Sequence, residues 1–219
     1  MLTEHVFNFP VSERLASLAG MRADLQQVKA YCERLIERYS GPHLKKSPFD
    51  IVGFNTPLDF LEWEGLSAAA CVAYSRCFVT GVRSALHSEL LNQVEAELKD
   101  THDFVLSLRN KHVGHSVNSF EENSVTVQLA PAMKSAKEIN SVVPRHERSS
   151  GLPIDGPAKL LKLVDWWLNQ TTTELHDEIE KVRSAAQSMD LTAIQALPVL
   201  KSSSHTERLQ TISKRRLRP

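Results

Sequence analysis

VSERLASLAGMRADLQQVKAYCERLIERY, residues 11–39, sets Leu18, Met21, Leu25, Val28, Cys32, Leu35 and Tyr39 at alternating three- and four-residue steps. At about 3.6 residues per turn those positions line one face of a helix, so the stretch predicts a long amphipathic helix with one buried side. Ser12 stands where an N-cap is expected, and Glu13 lies near the positive end of the helix dipole. Ser40-Gly41-Pro42 supplies the stop. A helix this long needs partners for its apolar stripe, and the rest of the chain is read for them.

From His43 to about Gly65 the chain is rich in Pro and Gly and reads as a linker, pinned by Phe49, Phe54, Phe60 and Trp63. Leu66 to Leu86 reads as a second helix, whose Ala68, Ala69, Ala70, Ala73 and Ser75 allow close approach of neighbouring helices. On it Arg76 and Arg83, seven apart, would share a face. Ser88 to Val113 contains neither Gly nor Pro, and Leu91, Val94, Leu98, Val105 and Leu108 keep a helical seam. A break is expected at Asp100-Thr101 and a C-terminal cap at Gly114. Val125, Val127 and Leu129 alternate with polar residues in Ser124–Leu129, the signature of a strand, with Ile139–Val143 as its candidate partner. Arg145 to Pro157 reads as a polar loop, and Ala158 to Ala186 as a third long helix with Leu160, Val164, Trp167, Leu175, Ile179 and Val182 facing inward. Of the adjacent Trp166 and Trp167, one is expected in the core and the other at an interface. Asp190 is placed to cap a short helix reaching Leu197, and the chain beyond Pro198 turns polar and basic. The expected fold is mainly α: a four- to five-helix bundle over residues 1–188, with a small β-hairpin insertion at about 117–145 after the third helix, then a short helix and a weakly ordered basic tail over 189–219.

Charge narrows the function classes. With 26 basic and 26 acidic side chains the formal net charge is zero, so no global field draws the chain to nucleic acid or an anionic membrane, and such binding must come from a local patch. Cys32, Cys71 and Cys77 cannot all pair within one chain and show no CxxC spacing, which predicts small core residues in a reducing compartment. The opening Met-Leu-Thr-Glu-His is not a secretory signal, and no apolar run approaches the length of a membrane span, so a cytoplasmic location without membrane partners is expected.

The residues with the most chemistry lie in Arg109-Asn110-Lys111-His112-Val113-Gly114-His115. Arginine grips a phosphate through two parallel charge-assisted hydrogen bonds and does not lose its proton. Histidine titrates near neutrality, so it can take a proton from a hydroxyl or return one to a leaving oxygen. Asn110 can orient a ligand or the histidine. His102, seven residues before Arg109, would lie two turns away on nearly the same helix face. The structural alternative is that Arg109 is a solvated or ion-paired helix end and His115 a polar cap. His112 continues the apolar seam, which favours packing or capping. His112 and His115, three apart at a helix end with neither cysteine nor a third ligand nearby, supply no zinc site, and no metal or other cofactor is expected. Arg76 either adds a second positive charge to a cleft or pairs with an acid inside the bundle. The terminal Lys214-Arg215-Arg216-Leu217-Arg218 either holds a nucleic-acid backbone or is simply solvated.

The stretch His102 to Ser116 resembles the signature of the HEPN superfamily, an arginine followed by a polar residue and, a few residues on, a histidine, matched here by Arg109, Asn110 and His115. Tyr74-Ser75-Arg76-Cys77-Phe78, upstream on the small-residue helix, also resembles what bacterial members carry. The specific match spans about fifteen residues. The resemblance implies a helical bundle that pairs as a homodimer, with the Arg and His of both protomers meeting in a cleft and cutting RNA without a metal. It also implies a toxin–antitoxin or phage-defence setting, with an antitoxin or regulatory protein as partner. One subgroup carries a tyrosine two residues after the motif histidine as the site of silencing by a nucleotidyltransferase; Val117 stands there instead, so that silencing is not implied. The expected function is a metal-independent endoribonuclease with Arg109, Asn110 and His115 catalytic and Arg76, His102 and Lys111 binding substrate. Two rivals stand beside it: a non-catalytic dimeric interaction or scaffold module, and a nucleotide-binding regulator using the same polar cleft.

Overall fold

A computed structural model describes residues 4–39, 57–79, 83–110, 121–129, 139–148 and 151–200. The described chain is mainly helical with one two-stranded antiparallel hairpin, as the apolar periodicity predicts. Its elements are α1 (Pro10–Tyr39), α2 (Pro57–Ser75), a 3-10 turn (Ser88–Gln93), α3 (Ala96–Leu108), β1 (Glu121–Leu129), β2 (Ile139–Arg148), α4 (Gly156–Gln187) and α5 (Leu191–Gln195). None of the described helices is long and apolar enough to cross a membrane.

The chain divides into two compact units, one of residues 17–175 and one of residues 1–16 with 176–219. In the first unit the seam of α1 packs as its spacing requires: Leu18, Met21, Leu25, Val28 and Cys32 are fully buried. They share one core with Ala70, Cys71 and Tyr74 of α2, Val105 and Leu108 of α3, and Leu160, Leu163, Val164 and Trp167 of α4. Leu35 and Tyr39 form a satellite cluster with Trp63. Trp166 is half-buried against the core, its ring edge-on to Trp167 at 4.7 Å. The three cysteines are free and buried, and desolvation pushes each thiol up to about 12, so none is a nucleophile near neutrality.

Several boundaries differ from expectation for identifiable reasons. α1 starts at Pro10, whose fixed φ and missing N–H suit a first helical turn. Ser12 therefore lies inside that turn and works backwards, its Oγ accepting from the Phe9 N–H at 3.2 Å and donating to the Phe7 carbonyl at 2.8 Å. α2 begins at Pro57, so Pro57–Gly65 is helix and not linker, and it ends at Ser75, eleven residues before the expected Leu86. Its last carbonyls are closed by turn hydrogen bonds, Cys77 N–H to Tyr74 O and Phe78 N–H to Ser75 O, both 3.0 Å. The break in the third helical stretch falls at Val94–Glu95, where both residues leave the helical region, and not at Asp100-Thr101. The strands are longer than expected, since Glu121–Asn123 belong to β1 and Pro144–Arg148 to β2; Val125 pairs with Pro144 and Val127 with Val142.

The segment before α4 is fastened to α2. The Trp63 Nε1–H donates to the Leu152 carbonyl at 3.0 Å. Gly151 has φ +97, and a Cβ there would stand 2.8 Å from that of Ser67, so both the conformation and the close approach require glycine. In the second unit the N-terminal segment lies along residues 197–200: Val6 N–H donates to Pro198 O at 2.7 Å, Leu200 N–H to Glu4 O at 2.8 Å, and His5 Nδ1–H to Leu197 O at 2.9 Å. α5 follows Asp190 as expected. The Asp190 carboxylate accepts from the Thr192 hydroxyl and makes no cap to a backbone N–H. The polar tail from Lys201 lies outside the described residues.

A chain of hydrogen bonds crosses the main core. The Trp167 indole N–H can only donate, and it donates to the Tyr74 hydroxyl at 3.2 Å. That hydroxyl is also hydrogen-bonded to His102 Nδ1 at 2.8 Å. Burial holds the pKa of His102 below the usual histidine value, the nearby Asp103 opposing only in part. Phe78 closes the histidine from the side, edge-on at 4.6 Å.

Two outcomes follow from this network. Tyr74→Phe, which keeps the ring and removes the hydroxyl, strands two buried polar groups and should cost about 1–3 kcal/mol in denaturant unfolding while leaving helical content unchanged. The pH dependence follows from the lowered pKa: below about 6.5, the unfolded value, the unfolded chain takes up a proton that the folded chain refuses. Stability should therefore fall as pH drops from about 6.5 toward the lower folded value, by at most about 1.4 kcal/mol per pH unit from this group. His102→Gln should flatten that slope; an unchanged slope would show that other groups set it.

Candidate functional site

α3 carries three kinds of surface. Its inner face buries Thr101, His102, Val105 and Leu108. Its outer face exposes Glu97 and Asp100, and its C-terminal end presents Arg109 and Asn110 to solvent. The helix proper stops at Leu108 and the chain widens into a π-type turn at Arg109–Asn110. Arg109 is exposed at this end, whereas His102, two turns earlier, is buried.

Arg109 is the C-cap, its backbone N–H bonding the Leu106 and Val105 carbonyls. Its guanidinium donates from Nη1 to Asn110 Oδ1 at 2.8 Å. Among the described residues it has no carboxylate partner. A cation here is favoured by the negative end of the α3 dipole, worth about 0.3–1 kcal/mol for an exposed group, so it needs no counter-ion to be tolerated. Asn110 takes up one of the five N–H groups and orients the plane of the fork.

The remaining expected site residues are placed as follows. His102 is not at a surface; it is 5% exposed, with Nδ1 taken by Tyr74. Expected as a substrate contact, it is corrected to a core residue, because α3 turns this face inward. Arg76 pairs with Asp24 at 3.4 Å, the intramolecular ion pair that was one of its two readings. It lies beyond the end of α2, so the helical face it was to share with Arg83 does not exist. The two arginines nevertheless converge, because Arg83 Nη2 also reaches Asp24, at 2.6 Å. Gly20, one turn before Asp24, makes room: a Cβ there would stand 2.6 Å from Arg83 Nη1. Lys111, His112, Gly114 and His115 lie outside the described residues. Among the described residues no three metal-ligating side chains gather.

Sequence reasoning missed a cleft between α3 and the start of α4, with a volume of about 440 Å³. Its signal was present: Glu97, Asp100, Thr101 and Phe104 recur at helical spacing on α3, and Asp155 and Lys159 are an i,i+4 pair across the first turn of α4. It was overlooked because the α3 stripe mixes acidic and apolar residues and matches no single template. No family model, curated protein or solved structure matches the chain.

The two groups of arginines should respond differently to substitution. Arg109→Ala should leave the melting temperature nearly unchanged, since an exposed side chain away from core features rarely matters by more than about 0.5 kcal/mol. Asp24→Ala should lower stability by about 1–3 kcal/mol, because Arg83 is left partly buried without its anion. Thermal unfolding of both variants checks the contrast; equal losses would mean that Arg109 also has a structural duty.

Proposed function

We propose that the chain is a metal-independent endoribonuclease of HEPN type, acting as a homodimer. The observation that supports this reading is the state of Arg109: exposed, oriented by Asn110, and free of a carboxylate among the described residues. Arg76 and Arg83, by contrast, are both neutralised by Asp24. A guanidinium without an anion at a helix terminus suits a phosphate, which it can hold through two parallel N–H···O bonds.

In this reading His115 takes the proton of a ribose 2′-hydroxyl. The 2′-oxygen attacks the adjacent phosphorus, the bond to the 5′-oxygen breaks, and the proton goes to that leaving oxygen. The products are a 2′,3′-cyclic phosphate and a 5′-hydroxyl. Arg109 stabilises the charge that builds on the non-bridging oxygens, and Asn110 holds its plane. Lys111 adds a point charge to the substrate path. Arg76 and His102 drop out of the substrate-binding set, one held by Asp24 and the other buried. A toxin or phage-defence role, with a regulatory protein to restrain the nuclease, is the setting this activity fits.

Purified protein incubated with RNA tests the reading. His115→Ala should reduce cleavage by about 10²–10⁴ without changing the dimer or its melting temperature. Arg109→Ala should be comparably damaging, and Arg109→Lys should restore only part of the activity because an ammonium cannot reproduce the fork. EDTA should not inhibit, and a 2′-deoxy substitution at the cut site should block the reaction. A well-folded wild-type protein that never cuts RNA, with Arg109→Ala only loosening a dimer, would hand the chain to the interaction-module reading.

A further inference from the structure

We propose that the cleft between α3 and the first turn of α4 binds a small organic cation, an ammonium carried on an aromatic or branched aliphatic body. The proposal does not depend on the nuclease reading and concerns different residues. The cleft's volume, about 440 Å³, lies within the range of about 300–1,000 Å³ typical of small-molecule sites.

Its floor is apolar. Phe104, Val105, Leu152 and Pro153 line it, and Val105 and Leu152 belong to the main core, so the floor is held by the packing beneath it. The Leu152 carbonyl is further anchored by Trp63 at 3.0 Å. A concave apolar floor favours a ligand that removes carbon surface from water, which excludes a bare metal ion and a simple polyamine as good occupants.

Its rim decides the charge. Glu97, Asp100 and Asp155 face it, with Lys159 as the single cation among the described residues. Lys159 is committed, 2.8 Å from Asp155 and 3.7 Å from Glu97. Asp100 has no cationic partner among the described residues, so the rim holds an excess of two negative charges. Thr101 lines the same wall; its hydroxyl proton is spent on the Glu97 carbonyl at 2.7 Å, leaving the oxygen only as an acceptor. A carboxylate without a counter-ion and a hydroxyl that can only accept both call for a donor, and an ammonium supplies it. An anionic ligand would have to displace Asp155 from Lys159 and approach the two other acids.

The full-length protein titrated with 2-phenylethylammonium, alongside its neutral isostere 2-phenylethanol, tests this by amide chemical-shift mapping and calorimetry. The ammonium should saturate at millimolar concentration, shift amides within residues 97–105 and 152–159, and weaken as salt rises. The alcohol should bind more weakly. Asp100→Asn, on an exposed side chain and thus safe for folding, should weaken the ammonium roughly two- to fivefold, the range of a solvent-accessible ion pair, and leave the alcohol unaffected. Equal affinity for the alcohol, an unchanged affinity in Asp100→Asn, shifts mapping elsewhere, or no saturation at millimolar concentration would each overturn the proposal.

Discussion

The Tyr74 hydroxyl ties three helices together. It accepts from Trp167 of α4 and is hydrogen-bonded to His102 of α3, while its own ring is fully buried on α2. The indole can only donate, so the hydroxyl oxygen is the acceptor of that bond. A buried polar chain of this kind tolerates little displacement, since any rotation of α3 that carried His102 away would orphan a donor in a dry core. The rotation of α3 about its axis is thereby determined. So is the side on which Glu97 and Asp100 emerge, and the end at which Arg109 meets water.

Charge is distributed by the same logic of burial. Asp24 is almost entirely enclosed, and enclosure of a carboxylate is tolerable only with strong partners, so two arginines close on it and Gly20 gives up its side chain to admit one of them. Arg22, on the same helix, is satisfied by oxygen atoms alone, reaching the Leu168 carbonyl at 2.7 Å and the hydroxyls of Thr171 and Thr172 at 3.0 and 2.9 Å. These cations are consumed in holding helices together. Arg109 differs because it lies past the end of its helix, at the negative end of the dipole, with the neutral amide of Asn110 as its side-chain partner among the described residues.

Much of the fold was legible because the core follows a simple period. The α1 seam from Leu18 to Tyr39 and the inward residues Leu160, Val164 and Trp167 of α4 are buried as their spacing predicts. The alternation of Val125 and Val127 located the hairpin, although its ends ran further than the alternation did. Where reading failed, a local signal had been overridden by tertiary context. Pro57 begins a helix inside a Pro- and Gly-rich stretch that composition alone assigns to a linker. The small-residue stretch before Ser75 suggests a helix running on to Leu86, yet turn hydrogen bonds at Cys77 and Phe78 end it. His102 looked like a surface neighbour of Arg109 because seven residues return to the same face, but the core claims the histidine through Tyr74 and Phe78 while the helix end leaves Arg109 in solvent. No pattern in one dimension reveals that Tyr74 and Trp167, 93 residues apart, share a proton donor and acceptor. Nor does any such pattern reveal that Arg76 and Arg83 meet on Asp24.

The amphipathic pattern of α3 also explains why its outer residues carry more information than its inner ones. Inward positions are set by volume and by one hydrogen bond, so a different apolar set of equal size would serve. Outward positions are under no packing demand, and a soluble helix surface usually mixes signs so that neighbours neutralise one another. On α3 Glu97, Lys99 and Asp100 mix signs in this way near the start, whereas Glu97 in the first turn and Arg109 at the C-cap each stand where the dipole favours their charge. Those two placements stabilise the helix from both ends. Among the described residues Asp100, on the outer face, and Arg109, at the C-cap, have no ionic partner. Groups left in that state keep their full capacity to hold a counter-charge from outside the chain, and the two call for opposite ones.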